Sequence, residues 1–453
     1  MRRRALRGSF QCMFRRSEIG SSEVHATLRR HLLVDGYPLV IDLERSRGSV
    51  VRDALTGSEL IDFYSFFASN PLGFNHPGML DERTRERLAR TSTVKVANSD
   101  KYTTYYAEFV DTLSRTAAPP ELGKYFFVEG GAMAVENALK TAFDWKVRKN
   151  LARGKGERGT SIIHLEHAFH GRSGYTMSLT NTDPNKTAYF PKFDWPRIPS
   201  PMIRFPLSRH LAEVEEREAV SIAAAEAAFA MRPDDIAAII LEPIQSEGGD
   251  HHFRPEYFRA LRRLADTHEA LLIYDEVQTG VGATGKWWQY QHHGVEPDIL
   301  CFAKKMQLGG IMVGNRIDDV EDNVFVKPGR INSTWGGNLV DMVRATRLLE
   351  IIVDENLVEN AAQRGAQLLA GLEAIQSRHP VVTNARGQGL LCAFDLPDPA
   401  TRDRAIKRAF ADGMLVLACG THAIRFRPAL NVTAEIIAEG LVRLERAIGE
   451  TEA

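Results

Sequence analysis

Three side chains that could act on an amine follow short apolar runs in the middle of the chain. Glu242, Asp275 and Lys304 each stand at, or within two residues of, the end of such a run. If these runs are neighbouring strands of one open α/β sheet, their ends converge on the crevice where such sheets bind ligands. A lysine amine forms an imine with an aldehyde, and a carboxylate keeps a pyridine nitrogen protonated. The three positions therefore predict a crevice suited to a lysine-bound pyridoxal cofactor.

A glycine pair ahead of a helical pattern is a candidate site for the phosphate of such a cofactor. Gly130 and Gly131 lead into Met133–Lys140, whose apolar residues form one helical face. Glycines before a helix leave backbone N–H groups open to a phosphate, and the helix dipole adds to the attraction. Alone, this signal is weak, because such a pair is more often only a turn.

The elements that must position these residues follow from the periodicity of the chain. From about residue 125 to residue 301, short apolar runs alternate with longer amphipathic segments. This alternation predicts βαβ units and a mostly parallel sheet. The four runs that matter are Ser161–Leu165, Ala237–Leu241, Leu271–Tyr274 and Ile299–Phe302.

The chain before this region contains a candidate hairpin, and the chain after it has an α+β pattern typical of a smaller C-terminal domain. Val50–Asp62 is typical of two strands joined by a tight turn. After about residue 340, the pattern predicts helices over Asp341–Glu355 and Ala361–Arg378, followed by strands near Gly389–Phe394 and Ala423–Phe426.

The composition is that of an ordinary globular protein. The 453 residues suggest two or three domains, and 44% of them are hydrophobic and 25% charged. The net charge of -1 gives no reason to expect nucleic acid or an anionic membrane as a partner. No apolar run is long enough to span a bilayer.

The cysteines and the first residues bear on the location of the protein. The cysteines lie far apart, which predicts reduced, mostly buried thiols in a cytoplasmic protein; they are Cys12, Cys301, Cys392 and Cys419. The basic segment Met1–Arg16 lacks the apolar centre of a secretory signal. We interpret it as a flexible tail, or as the result of an upstream start codon that is not used, rather than as a transit peptide.

Four further motifs carry a resemblance to a known family, in the order and at the spacing of that family. They are Ala168–Arg172, Glu242–Gln245, Asp275–Gly280 and Phe302–Lys305. From about Leu32 to Gly449 the chain resembles the class III (ornithine-type) aminotransferases, which belong to the fold-type I pyridoxal-phosphate enzymes. Four motifs together are far more specific than any one of them.

The resemblance implies an α/β fold in which a large domain has a mostly parallel sheet flanked by helices. A smaller α+β domain would be built from the N- and C-terminal segments. We therefore expect a flexible tail at residues 1–21, an N-terminal segment of the small domain at 22–75, the large cofactor-binding domain at 76–340, and the remainder of the small domain at 341–453.

Within the class, the chain is most similar to the enzymes that act on the ε-amine of lysine. The supporting stretches are Phe127–Glu136, His170–Thr176, Phe190–Pro196 and Asn332–Asn338. Gly130 and Met133 stand where ornithine-type relatives often have Ser and Glu, which also favours the lysine branch. The resemblance implies ping-pong transfer of the ε-amino group of L-lysine to 2-oxoglutarate. The products would be L-glutamate and 2-aminoadipate 6-semialdehyde, which cyclises to piperideine-6-carboxylate.

For pyridoxal 5'-phosphate, the resemblance implies four roles around the ring. Lys304 would form the Schiff base and then move the proton of the substrate carbon. Asp275 would pair with the pyridine nitrogen, and Gln278 would hydrogen-bond the ring hydroxyl. Phe169 would stack on the ring face and exclude water.

Other matched positions would complete the cofactor site. Gly131 and Ala132 would offer backbone N–H groups to the phosphate. Thr334 would reach the same phosphate from the neighbouring subunit, which implies a homodimer with a shared active site. His170 would contact the cofactor, and Glu242 would support the site from behind.

The resemblance also implies how two different substrates are held. Arg172 would bind the α-carboxylate of lysine, so that the ε-amine reaches the cofactor. Arg425 or Arg427 would bind a carboxylate of 2-oxoglutarate, and either suits bidentate contact. If their segment is a strand, both lie on one face, so the sequence does not choose between them. Glu247 would pair with this arginine while lysine binds and would move aside for the keto acid.

Competing interpretations come from other patterns. Gly280–Gly285 matches the dinucleotide fingerprint, but no Rossmann helix follows it, which favours a flexible loop beside the cofactor. The histidines lack the spacing of a metal site, so no metal is predicted. Alternative functions are another ω-aminotransferase, acting on ornithine, 2,4-diaminobutyrate or 4-aminobutyrate, or a non-catalytic binding relative.

Overall fold

The computed structural model describes residues 19–452 of the chain. The flexible tail predicted at residues 1–21 therefore lies almost entirely outside the described residues, as does Cys12. The other cysteines, Cys301, Cys392 and Cys419, are buried free thiols, as predicted.

The strands alternate with helices through the middle of the chain and cluster near its two ends. In chain order they are β1 (Val50–Arg52), β2 (Glu59–Asp62), β3 (Lys124–Val128), β4 (Ser161–Leu165), β5 (Arg197–Ile198), β6 (Ile236–Leu241), β7 (Leu271–Asp275), β8 (Ile299–Phe302), β9 (Gly309–Val313), β10 (Thr383–Gln388), β11 (Leu391–Asp395), β12 (Met414–Leu415), β13 (Leu417–Cys419) and β14 (Ala423–Phe426).

The helices range from single turns to long amphipathic elements. They are α1 (Val24–Arg29), α2 (Ser65–Ala68), α3 (Pro77–Leu80), α4 (Glu82–Ser92), α5 (Thr104–Thr116), α6 (Gly131–Ala152), α7 (Thr176–Leu179), α8 (Pro184–Thr187), α9 (Leu207–Met231), α10 (Ser246–Gly249), α11 (Pro255–Thr267), α12 (Leu339–Asp354), α13 (Leu357–Arg378), α14 (Pro399–Ala411) and α15 (Ala434–Glu452). Short 3-10 helices cover Ser21–Glu23, Gln289–His292, Lys304–Met306 and Asn315–Asp319. Across residues 19–452, no helix combines the length and apolar character needed to cross a membrane.

The large sheet has the strand order β3-β9-β8-β7-β6-β4-β5. Its strands run parallel except β9, which is antiparallel to both β3 and β8. The four strands predicted from apolar runs are β4, β6, β7 and β8, and all four are confirmed. Every residue of these strands is buried, because helices cover both faces of the sheet.

Alternate residues of each strand enter two different apolar clusters. Ile162 and Ile240 pack with α6 on one face, while Ile163 and Ile239 pack with α11 on the other. Side chains of a strand point to opposite faces in turn, so a continuous apolar run fills both cores. The buried sheet is therefore a fixed platform for the residues at its strand ends.

The antiparallel strand β9 depends on two glycines. A Cβ atom on Gly309 would lie 2.3 Å from the carbonyl oxygen of Gly130, and one on Gly310 would lie 2.4 Å from the ring of Phe302. Glycine therefore allows β9 to pass close to the turn that begins α6. These contacts explain the glycine pair that follows the two lysines in the sequence.

Two smaller sheets join the ends of the chain. In the three-stranded sheet β1-β2-β12, the hairpin partners β1 and β2 pair antiparallel, as predicted, and β12 pairs parallel with β2. The four-stranded sheet β10-β11-β14-β13 is antiparallel. The pairing of β2 with β12 brings N- and C-terminal segments together, while the domain boundaries at residues 75 and 340 stay a prediction.

The glycine-rich segment Gly280–Gly285 follows β7 in the chain and packs against the C-terminal helix α13. No Rossmann helix follows it, as expected. Its expected flexibility is wrong, since the segment is almost entirely buried and packs on α13. A Cβ atom on Gly285 would lie 2.8 Å from that of Ala362, so the glycines serve close packing between these two parts of the molecule.

A glycine in α13 allows a second close contact in this region. A Cβ atom on Gly365 would lie 2.1 Å from the carbonyl carbon of Gly389. We expect Gly365→Ala to lower the midpoint of thermal unfolding by at least about 3 °C, because the backbone of Gly389 must shift. Alanine in a free helix would instead add about 1 kcal/mol of stability.

Gly123→Ala is the matched control, since a Cβ atom there has no neighbour within 4 Å. Calorimetry of both variants checks the prediction. Equal midpoints for both variants would contradict it.

Candidate active site

The predicted strand-end residues lie on one cavity of about 640 Å³. Glu242 follows β6, Asp275 ends β7, and Lys304 follows β8, so neighbouring parallel strands place all three at the same edge of the sheet. Phe169 and Gln278 line the same cavity. The convergence expected from the apolar runs is therefore confirmed.

Asp275 is buried and held by a histidine. Nδ1 of His170 lies 2.8 Å from Oδ2 of Asp275, so the ring donates a hydrogen bond to the carboxylate. The other oxygen, Oδ1, accepts a hydrogen bond of 3.1 Å from the backbone N–H of Val277. These contacts fix the carboxylate at the cavity.

Glu242 is buried in the wall of the cavity and accepts hydrogen bonds from two loops. Its Oε1 accepts from the backbone N–H of Phe169 at 2.9 Å, and its Oε2 accepts from that of Ser246 at 3.3 Å. Burial, together with the charge of Asp275, raises the pKa of Glu242 well above its usual value. The side chain therefore acts through the loops that it positions.

The two adjacent lysines have different surroundings. Nζ of Lys304 donates to the carbonyl oxygen of Phe67 at 3.1 Å, beside the cavity that Lys304 lines. Nζ of Lys305 is buried and donates to the carbonyl oxygen of Gln278 at 3.0 Å. Burial is the largest cause that lowers the pKa of Lys304 to about 8, and repulsion by Arg425 adds to it. A larger share of this amine is therefore neutral near pH 7 than in free lysine.

The start of α6 forms another part of the cavity. Gly131 and Ala132 are its first residues and line the cavity, and Gly130 before them has φ +85°. The first backbone N–H groups of a helix have no partner within the helix, and its dipole favours an anion there. This end of the cavity suits a phosphate.

Arg425 lies on β14 and Arg427 directly follows that strand, and only Arg425 lines the cavity. Nη2 of Arg425 lies 2.5 Å from Oε2 of Glu247, and Arg425 lines the cavity. Arg427 instead pairs with Asp250. Oε1 of Gln278 accepts from both arginines, at 3.3 Å from Arg425 and 3.1 Å from Arg427. The sequence gives no reason to prefer either arginine as a carboxylate-binding residue, whereas in the structure only Arg425 lines the cavity.

Two further predicted residues lie at the edge of the site. Arg172 is exposed at the cavity and has no ion-pair partner among the described residues. Thr334 is exposed and lies outside the cavity residues of its own chain, with its carbonyl oxygen 3.0 Å from Oγ of Ser99. Its predicted contact from a neighbouring subunit stays a prediction.

Three residues of the cavity carry no signal in the sequence. Phe66 and Phe67 lie on α2, a left-handed turn with φ values of 52° and 58° at these positions. Non-glycine residues rarely adopt this backbone, so no pattern predicts it. Lys186 on α8 pairs with Glu247, from which 61 residues of chain separate it.

The donor set fits pyridoxal 5'-phosphate. The cavity combines a lysine amine, a buried carboxylate, the aromatic side chain of Phe169 and a helix N-terminus. These groups match the aldehyde, the ring nitrogen, the ring face and the phosphate of that cofactor. Their arrangement at one strand edge supports binding of this group.

Comparisons with known proteins agree with this geometry. The family model "Aminotransferase class-III" matches residues 34–448. An L-lysine-epsilon aminotransferase of Amycolatopsis lactamdurans is 50% identical over 94% of this chain and 95% of its own length. The protein of the same name from Mycobacterium tuberculosis H37Rv is 52% identical over 91% of this chain and 92% of its own length.

The chain is also similar in fold and sequence to solved aminotransferase structures. The lysine aminotransferase from Mycobacterium tuberculosis, in its internal aldimine form, superposes with a TM-score of 0.93 at 50% identity. The match covers 95% of this chain and 99% of that structure.

The lowered pKa of Lys304 predicts a pH dependence. Only the neutral amine attacks an aldehyde, so capture of pyridoxal phosphate by the apoprotein should accelerate as pH rises and level off above about pH 8. An unperturbed lysine would keep accelerating to about pH 10. Stopped-flow absorbance between about pH 6 and pH 10 measures the rate. A rate that still rises steeply above about pH 9 would contradict the prediction.

Proposed function

The chain belongs to the class-III aminotransferases, and on this premise we propose that it transfers the ε-amino group of L-lysine to 2-oxoglutarate. The products are L-glutamate and 2-aminoadipate 6-semialdehyde, which cyclises to piperideine-6-carboxylate. Three features support the lysine substrate: the names of relatives that share about half of the sequence, the resemblance of its motifs, and the charges around the cavity.

The enzyme uses pyridoxal 5'-phosphate, as its family does. When bound, this cofactor supplies an aldehyde that takes up the amino group and a ring that withdraws electrons. We assign its binding to Lys304 at the aldehyde, Asp275 at the ring nitrogen and Phe169 at the ring face. Gln278 serves the ring hydroxyl, and the backbone N–H groups of Gly131 and Ala132 serve the phosphate.

His170 and Glu242, which also line the cavity, support the residues that bind the cofactor. His170 keeps the carboxylate of Asp275 in place. Glu242 holds the backbone of Phe169. With its lowered pKa, Nζ of Lys304 can accept the proton of the substrate carbon that carries the reacting amine and would then deliver it to the cofactor. The chain therefore supplies both the anchor and the base.

The observation that carries the proposal is the pairing of Arg425 with Glu247 in the cavity that contains Lys304. Lysine and 2-oxoglutarate enter the same cavity in turn, but only the keto acid has a second carboxylate. An arginine masked by a carboxylate suits this alternation. Glu247 covers Arg425 while lysine reacts, and the distal carboxylate of 2-oxoglutarate replaces Glu247 in the second half-reaction.

Arg172 completes the lysine site in this proposal. Its guanidinium stands at the cavity mouth with no ion-pair partner among the described residues. A carboxylate is the ligand that such a group prefers. Binding of the α-carboxylate there directs the ε-amine inward toward Lys304.

Dimer formation and location are part of the same proposal. We infer a homodimer in which Thr334 of each subunit reaches the phosphate of the other, because Thr334 is exposed outside its own cavity. We assign the enzyme to the cytoplasm, since its described cysteines are buried free thiols.

The amine specificity has a direct test. With L-lysine and 2-oxoglutarate, the holoenzyme should form a product that o-aminobenzaldehyde traps, together with an equal amount of glutamate. Lys304→Ala should form no product, because it lacks the reacting amine. The value of kcat/KM should be at least about tenfold higher for lysine than for ornithine, 2,4-diaminobutyrate or 4-aminobutyrate. A higher value for any of these amines would replace lysine as the substrate.

The two arginines should respond differently to removal. Arg425→Met should raise KM for 2-oxoglutarate about 10- to 100-fold, because a charged hydrogen bond contributes about 1.5–3 kcal/mol. Arg427→Met should instead lower the unfolding midpoint, since it leaves the buried carboxylate of Asp250 without its cation, at a cost of about 3–5 kcal/mol. Kinetics and calorimetry of both variants test this. The opposite pattern would make Arg427 the substrate arginine.

A further inference from the structure

The carboxylate of Glu247 is shared between two cations. Oε2 contacts Nη2 of Arg425 at 2.5 Å, and Oε1 contacts Nζ of Lys186. Glu247 therefore uses only one oxygen for the arginine, whereas a full arginine–carboxylate pair uses two. Among the described residues, the buried Nε of Arg425 has no hydrogen-bond partner. The hydrogen-bonding capacity of this guanidinium is therefore not fully used by the protein groups around it.

Close packing and a hydrogen bond hold the backbone on both sides of Glu247. A Cβ atom on the next residue, Gly248, would lie 2.1 Å from the carbonyl oxygen of His167, which shows how closely the two segments pack. On the other side, the carbonyl oxygen of Glu247 accepts a hydrogen bond of 2.9 Å from the N–H of Gly420. Any exchange of partners must therefore come from rotation of the side chain.

Lys186 is placed to remain in contact during such a rotation. It lies on α8, whose N-terminus is capped by Asp183, and its Nζ stands 5.7 Å from the centre of the Phe169 ring. Both Lys186 and Glu247 line the cavity. The amine is thus next to the place that an incoming keto acid must enter.

We propose that Lys186 is the alternative partner that holds the Glu247 carboxylate after a substrate carboxylate has taken Arg425. This inference rests on the proposed function, since it requires a dicarboxylate in the second half-reaction. A partly buried carboxylate without a cation is unfavourable. Lys186 keeps Glu247 paired in both states and so lowers the cost of uncovering Arg425.

The direction of the effect follows from the contacts of each state. Without Lys186, the covered state keeps the Arg425 pair, and Glu247 is free to turn both oxygens toward it. The uncovered state loses the only cation that Glu247 has. Loss of Lys186 therefore favours the covered state and weakens dicarboxylate binding, while lysine, which reacts in the covered state, is unaffected.

The test uses the holoenzyme in its pyridoxamine form and glutarate, a dicarboxylate that does not react. We expect Lys186→Met to weaken glutarate binding about tenfold by titration calorimetry, and Lys186→Arg to restore it. Single-turnover rates with lysine should change less than about twofold. Lys192→Met is the matched control, because it removes an exposed charge nearby and should change neither quantity.

The same substitution in a Glu247→Gln variant distinguishes a role of Lys186 in holding Glu247 from direct contact between Lys186 and the substrate. In Glu247→Gln enzyme there is no carboxylate to hold, so adding Lys186→Met should change glutarate binding less than about twofold. The titrations are done at high salt, which screens long-range attraction. An equal loss in both backgrounds, or an equal loss in the lysine half-reaction, would overturn the proposal. Unfolding midpoints confirm that each variant is folded.

The proposed function and this inference fail in different ways. If wild-type enzyme binds no glutarate and produces no glutamate from lysine and 2-oxoglutarate, both are wrong. If wild-type enzyme does both and Lys186→Met behaves like wild type, only the role of Lys186 is wrong.

Discussion

The ion pair between Arg425 and Glu247 joins the two parts of the molecule on which the site depends. Arg425 comes from β14 of the four-stranded sheet, and Glu247 follows β6 of the large sheet. Beside it, Arg427 pairs with Asp250, and these two side chains are each only 1% exposed. The inner pair is closed to solvent and substrate, whereas Glu247 is 23% exposed and lies on the cavity. In the proposed function these two similar pairs have different tasks: the Arg427–Asp250 pair holds the sheets together, and the Arg425–Glu247 pair exchanges partners.

The charges around the cavity explain why a lysine there can react. Arg425 repels the Lys304 ammonium, and burial disfavours its charge even more, so both lower the pKa of this amine. Glu247 partly offsets the effect while it covers the arginine. Burial acts in the opposite direction on the carboxyl of Glu242, whose pKa it raises. In the proposed function Asp275 is the carboxylate that faces the ring nitrogen, and His170 fixes its orientation.

Much of the large sheet and the cofactor side of the site could be predicted from the sequence. Buried parallel strands are apolar on both faces, so β4, β6, β7 and β8 appear as short runs, and residues at their ends must meet at one edge. The substrate side could not be predicted in the same way. Arg425 differs from Arg427 because the fold places Glu247 of the cavity against Arg425 and the buried Asp250 against Arg427. Lys186 meets Glu247 because the fold brings α8 to the same cavity. The left-handed turn at Phe66 and Phe67 has no glycine to indicate it. Each of these features arises from tertiary packing, which local residue patterns do not predict.

The adjacent lysines show how packing gives two equal residues different tasks. Lys304 and Lys305 both lie in the 3-10 helix that follows β8, with φ of +32° at Lys304, and adjacent side chains of such a helix point in different directions. Nζ of Lys305 is directed under the loop that follows β7, where it holds the carbonyl oxygen of Gln278. That contact fixes the backbone of a residue whose side chain meets both arginines. Lys304 is left to face the cavity. The pair is therefore not a solvated surface feature: one amine is available for chemistry because its neighbour is buried as a structural donor.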